Sequence, residues 1–436
     1  MVRRFHLFAG AWAVSACALI AVTWKLWTPQ SEFPQIPFFE FLIHAPGRLD
    51  WIALSIVVLS LLTVGFSLRR IGILPVRQRT PNATNQQEQS PGPNGLNWFS
   101  IGHLTFALAM ALLISLDQNR LQPWAYHFVI LGLLMGLASP RQATSMIRWI
   151  AISIYVYSAI SKFDYQFVHT VGDQMLSTIV GFAGVETTDW SNQLKHGLVI
   201  LLPIGELLVG IGLALNRFRA IAVGAAIGLH VALLLILGPW GLDHRPGVLI
   251  WNLFFIFQAL FLFWPDMHTD QAEDNFEAAV DQARLEKADE DRQNRDLKPT
   301  WNVSWLALLL TTFVLLFPAT QWIGVCDHWP GWQVYSPSSS RAQLRNQRSV
   351  SQWSLEELGV PVYPQSRLQL AVAYAVVKKA AGQENSGTRS FQIELGHQSN
   401  RFTGERVNEI LTGADQFNMK TSRYILNTQA RNNWFD

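Results

Sequence analysis

Side chains able to move a proton gather in one apolar stretch of the chain. The run Tyr155-Val-Tyr-Ser158-Ala-Ile-Ser161-Lys162-Phe-Asp164 closes an apolar helical pattern on a lysine, and Tyr155, Ser158 and Lys162 fall at i, i+3 and i+7, on one helix face. The next three apolar segments each carry one costly polar group: Glu206, His230 and Asn252. Ionisable groups inside lipid cost several kcal/mol unless they face a protein interior or a wet cavity, so each is a candidate functional residue. A lysine in a poorly solvated pocket can serve as a neutral amine base, with a carboxylate and an imidazole to relay its proton. The competing reading for Lys162 is a side chain that snorkels to the headgroups on its flexible stem. For Glu206 it is a structural interhelical hydrogen bond, for His230 a satisfied core histidine, and for Asn252 a bond to a neighbouring backbone group. The midspan histidines do not come in a ligand-spaced pair, so the pattern does not predict a metal site.

The elements that must hold these residues are membrane helices. Half of the 436 residues are hydrophobic and only 15% are charged, with 18 Trp and 26 Phe. That is too apolar for an ordinary soluble protein. Candidate spans fall at residues 7–27, 51–68, 99–116, 124–139, 147–163, 197–215, 218–237, 248–264 and 304–324, about nine in all, the fourth being short. The sequence therefore predicts an all-α polytopic membrane bundle with a small α+β C-terminal extramembrane region. A net charge of +2 gives no basic field for nucleic acid, and two cysteines, Cys17 and Cys326, exclude a disulfide framework. Cys17 follows Val14-Ser-Ala in a lipoprotein-like signal pattern, but the apolar run continues past it, which favours a retained first span.

Loop charge orients the bundle. Arg3, Arg4, Arg69, Arg70, Arg77, Arg79, Arg141, Arg148, Arg217 and Arg219 fall on one side, against Arg48, Arg120, Lys195 and Arg245 on the other. The positive-inside bias places the N-terminus in the cytoplasm and the C-terminal region outside the cell membrane. Lys162, Glu206, His230, Asn252, Asp117 and His127 then fall mostly in the outer half of the bilayer, able to line one outward-opening cavity. Residues 1–265 form the main helical domain, 266–303 a cytoplasmic acidic helical linker, 304–324 the last span and 325–436 the outer region. Residues 75–97 read as a flexible linker. Alternation at 368–377 and 390–395 predicts strands, and 405–411 a closing helix. Gly205, Gly210, Gly212, Gly224 and Gly228 predict close packing of the sixth and seventh spans.

The run Tyr157-Ser-Ala-Ile-Ser-Lys162-Phe-Asp164 resembles the motif of the vitamin K-dependent gamma-carboxylase and its bacterial relatives, the HTTM (horizontally transferred transmembrane) domain proteins. The resemblance extends upstream through Leu116-Asp117-Gln-Asn-Arg120 to Tyr126 and downstream through the helices of Glu206 and His230, covering residues 5–265. DoxX/MauE-type membrane proteins share a similar helical look. The resemblance implies that Lys162 is a base toward a quinone-like cofactor or substrate. It adds Asp117 and Tyr126 to Tyr155, Ser158 and Asn252 as candidate substrate-binding residues, beside Lys162, Glu206 and His230 as candidate catalytic ones. The family carries a second lysine where this chain has Ser161 and a histidine where it has Trp124, so the expectation carried over is the fold and the base, not carboxylation.

Two functional expectations follow. One is a membrane-embedded enzyme or redox partner acting on a lipid-soluble small molecule from the outer side. The other is a non-catalytic scaffold whose C-terminal region binds a protein partner, with the buried polar groups as helix glue. Transport has less support, because neither an inverted repeat nor a broken-helix pair is visible.

Overall fold

The computed structural model describes residues 1–70, 98–264, 304–344, 349–383 and 392–435. The linkers expected at 75–97 and 266–303 lie outside the described residues. Among the described residues, seven helices are long and apolar enough to cross a membrane: Val2–Val22, Arg48–Arg70, Trp98–Leu116, Pro140–Lys162, Asn192–Ala214, Asn216–Leu237 and Pro246–Phe263. Pro123–Leu137 and Trp305–Gln321, at the fourth and ninth expected spans, are apolar but shorter. The chain is thus a multi-pass membrane protein on the composition of its helices. The elements used below are α1 (Val2–Val22), α2 (Arg48–Arg70), α3 (Trp98–Leu116), α4 (Pro123–Leu137), α5 (Pro140–Lys162), α6 (Val171–Gly181), α7 (Asn192–Ala214), α8 (Arg219–Leu237), α9 (Pro246–Gln258) and α10 (Ser304–Leu316).

Helix ends follow local chemistry. Proline at the first helical position opens α4, α5 and α9, where its missing N–H would be unsatisfied anyway. Ser191 caps α7 by accepting from Leu194 N at 3.3 Å. α1 ends about five residues earlier than the first expected span. The break comes at Thr23, whose hydroxyl donates back to Leu19 O and accepts from Trp27 Nε1 at 3.0 Å. Beyond α9 the chain continues as a π-turn, Ala259–Phe263.

The packing that matters most is α5 on α7. A Cβ on Gly210 would lie 3.1 Å from the Cβ of Tyr155, so this glycine lets the two backbones approach where the candidate residues sit. Gly212 does the same for α7 on α8, where a Cβ would meet that of Ala222 at 2.8 Å. Gly205, Gly224 and Gly228 face open space, so the close packing expected of them is absent. α8 packs on α7 and α9, α9 on α1, and α10 on α5.

The C-terminal region is α+β. Strands β1 (Arg341–Leu344), β2 (Gln392–Gly396) and β3 (Asn408–Thr412) form an antiparallel sheet in that order, with Arg341 opposite Gly396 and Gln392 opposite Thr412. The helices are α11 (Val350–Glu357), α12 (Ser366–Gln383) and α13 (Ala414–Thr421). Two expectations are corrected here. Residues 368–377 are helical, not extended: Leu368, Leu370, Ala371, Val372 and Ala373 are all buried, so an apolar run covered on every side shows no period. Residues 405–411 lead into β3 rather than forming a helix; the closing helix comes later, as α13.

This region is tied to the membrane helices. Asp50 at the start of α2 receives Arg120 Nη1 at 2.6 Å and Arg431 Nη1 at 2.8 Å, with all three side chains fully buried. Asn119 Oδ1 accepts from Tyr363 N at 2.9 Å, and Arg367 Nε donates to Gln118 Oε1 at 2.9 Å. Arg401 Nε donates to Phe163 O at 3.1 Å, directly beyond Lys162.

Candidate functional site

Lys162 is the last residue of α5, and its side chain turns inward. Nζ donates to Glu206 Oε2 on α7 at 2.6 Å and to Ser158 Oγ at 2.6 Å, one turn back on its own helix. The Lys162 and Glu206 side chains are 9% and 16% exposed, which rules out a lysine stretched toward headgroups. Glu206 lies one turn after Pro203, which cannot donate to the carbonyl four residues back. Asp164, two residues beyond Lys162, is the cap of the short helix Tyr165–His169: its Oδ1 accepts from Gln166 N at 2.9 Å and Phe167 N at 3.3 Å.

A second set of bonds runs from α5 through α8 to α9. Asn252 Nδ2 donates to Val248 O at 2.9 Å, which leaves its Oδ1 to accept from His230 Nδ1 at 2.9 Å. A neutral His230 with its proton on Nδ1 then presents Nε2 as acceptor, and Tyr155 Oη donates to it at 2.7 Å. Phe255 stacks flat on the imidazole, with centroids 4.8 Å apart and planes at 2°. The direction of donation is therefore fixed along Tyr155, His230, Asn252 and the α9 backbone.

Both sets open on one cavity of about 140 Å³ between α5, α7, α8 and α9. Its polar lining is Tyr155, Ser158, Lys162, Glu206, His230 and Asn252, with Tyr335 from the C-terminal region. The rest is apolar, including Ile154, Phe167, Met175, Leu233, Trp251 and Phe255. A dry cavity of about 150 Å³ accommodates a benzene ring, so the space suits one six-membered ring.

No protein-family model, curated protein or solved structure matches this chain.

Six of the eight residues singled out from the sequence thus meet in one place, and two do not. Asp117 follows α3 and caps the turn Gln118–Arg120, accepting from Asn119 N at 3.1 Å and Ile36 N at 3.4 Å. Burial raises its carboxyl to about 6, against the opposing charge of Arg120. Tyr126 packs against Trp332, centroids 5.1 Å apart. Neither lines the cavity. His127 lies behind Trp251, whose Nε1 donates to its Nδ1 at 3.3 Å. Sequence reasoning passed over Phe255 and Trp251, which look like ordinary lipid-facing aromatics, and Tyr335, which carries no signal of its own inside a polar region.

Proposed function

We propose that this chain is a membrane-embedded protein of the HTTM and gamma-carboxylase-like kind that binds a lipid-soluble, oxygen-bearing ring compound beside Lys162 and moves a proton from it. The carrying observation is the 2.6 Å Lys162–Glu206 pair facing a ring-sized, otherwise apolar cavity. Transfer of one proton within the pair, from ammonium to carboxylate, leaves an amine at the cavity. That amine takes the proton of a bound hydroxyl, forming an oxyanion next to the regenerated ammonium. The net change is one O–H broken on the substrate and one formed on Glu206, with the new negative charge beside a fixed positive one. Tyr155 and His230 form a second, prearranged donor–acceptor pair on the same cavity. A quinol-like substrate fits this chemistry and agrees with the resemblance at Lys162. The reading as inert helix glue is disfavoured because these hydrogen-bonded groups also border an open, ring-sized volume.

All nine apolar helices cross the bilayer in this reading, with the Lys162 end outside. Arg4 and Arg148 bond the backbone at Trp264 and Leu262, so these helix ends meet on the arginine-rich side, while Gln122 and Phe163 at the other ends meet the C-terminal region. The test is extraction of lipids from the purified chain. A ring-bearing lipid enriched over the bulk membrane extract is expected from the unaltered protein and not from Lys162→Met. Equal recovery from both would sink the reading.

A further inference from the structure

Tyr335 stands where the C-terminal region meets the membrane cavity. It lines the Lys162 cavity and also a second, largely apolar cavity of about 330 Å³ bounded by Val22, Trp124, Val248 and Val360, with Trp251 and Val334 completing the partition between the two. Three features mark it. Its backbone sits at φ +63°, the left-handed region that a bulky residue rarely adopts. Its hydroxyl is inaccessible to solvent and has no hydrogen-bond partner among the described residues. The phenol is protonated at neutral pH and available as a donor, and burial raises it further above its ordinary value. An orphaned buried hydroxyl is costly, and a strained backbone adds to that cost. The polar side chains across the Lys162 cavity already have partners, but a molecule between them would give the Tyr335 hydroxyl one.

We propose that Tyr335 donates a hydrogen bond to the oxygen of an amphiphile whose ring lies in the Lys162 cavity and whose hydrocarbon chain passes the Trp251–Tyr335 partition into the second cavity. This rests on the proposed reading of the Lys162 cavity and narrows its substrate to a monocyclic, oxygen-bearing head with one hydrocarbon chain. The second cavity suits hydrocarbon because most of its lining is apolar, while Gln122 bonds Asn119 O and Pro361 O, Thr23 bonds Leu19 O and Arg245 bonds Leu355 O, leaving His244 as its one polar member with a buried unpaired nitrogen among the described residues. The C-terminal region then completes the binding site rather than acting at a distance from it.

The experiment is equilibrium binding of 4-octylphenol, 4-ethylphenol and octylbenzene to the full chain in nanodiscs, corrected for partition into protein-free discs. 4-Octylphenol is expected to bind at least ~10-fold more tightly than 4-ethylphenol, from the extra methylenes buried. Tyr335→Phe, which keeps the ring, should weaken both phenols about five-fold and leave octylbenzene unchanged. Val248→Phe, which fills the second cavity, should abolish the chain-length preference. Unchanged phenol affinity in Tyr335→Phe, or an intact chain-length preference in Val248→Phe, overturns the inference. Lys162→Met separates the two levels. If it loses phenol binding while Tyr335→Phe does not, the Lys162 reading stands and this one falls. If it binds phenols normally, both fall.

Discussion

Replacing Lys162 with methionine keeps most of the volume of its stem and removes its charge, leaving Glu206 buried without its 2.6 Å partner. With side-chain exposures of 9% and 16%, screening by water is slight, and breaking a pair of this kind costs about 3–5 kcal/mol. Glu206→Gln should cost less, about 1–2 kcal/mol, because an amide oxygen can still accept from the ammonium. The double variant carries no uncompensated charge, so its loss should fall short of the sum by about 2–3 kcal/mol, within the range seen for residues in contact. Unfolding in mixed micelles, followed by tryptophan fluorescence, measures all four corners of the cycle. Single effects that add within about 0.5 kcal/mol would mean the two side chains do not meet, and the cavity would lose its proton-transferring pair.

Other expectations follow from the same geometry. Asp50→Asn leaves Arg120 and Arg431 buried without a carboxylate; a loss of about 3–5 kcal/mol is expected, with the C-terminal tail newly open to limited proteolysis. Asp117 gives a pH signature. Its carboxyl is raised from 3.8 to about 6 in the fold, so between these values the folded chain holds a proton that the unfolded chain has released. Its contribution is therefore full below the lower value and lost as pH rises through the upper one, by on the order of 3 kcal/mol. Asp117→Asn keeps a capping oxygen, and should flatten this slope and melt higher than the unaltered chain at pH 7.5. Gly210→Val should push α7 from α5 at Tyr155, costing about 1–3 kcal/mol and weakening phenol binding; an unchanged melting temperature and affinity would contradict the packing.

Much of the molecule is legible before any fold is known. Apolar runs long enough to cross a bilayer core mark candidate spans, and the cost of unsatisfied backbone polar groups in lipid requires them to be helical. Helical periodicity alone puts Tyr155, Ser158 and Lys162 on one face, and the cost of burying charge marks Glu206 and His230. Periodicity is blind to partners between helices. It could not show that Glu206 rather than Asp164 answers Lys162, since that depends on the close approach at Gly210. Nor could it show that Asp117, equally polar and equally near a helix end, is consumed in capping a turn. The run 368–377 reads ambiguously because a segment buried on every side has no polar face to betray its period. Tyr335 is the extreme case: its place on the Lys162 cavity exists only once the C-terminal region folds back onto the helices, so the tertiary structure alone makes it part of the cavity lining.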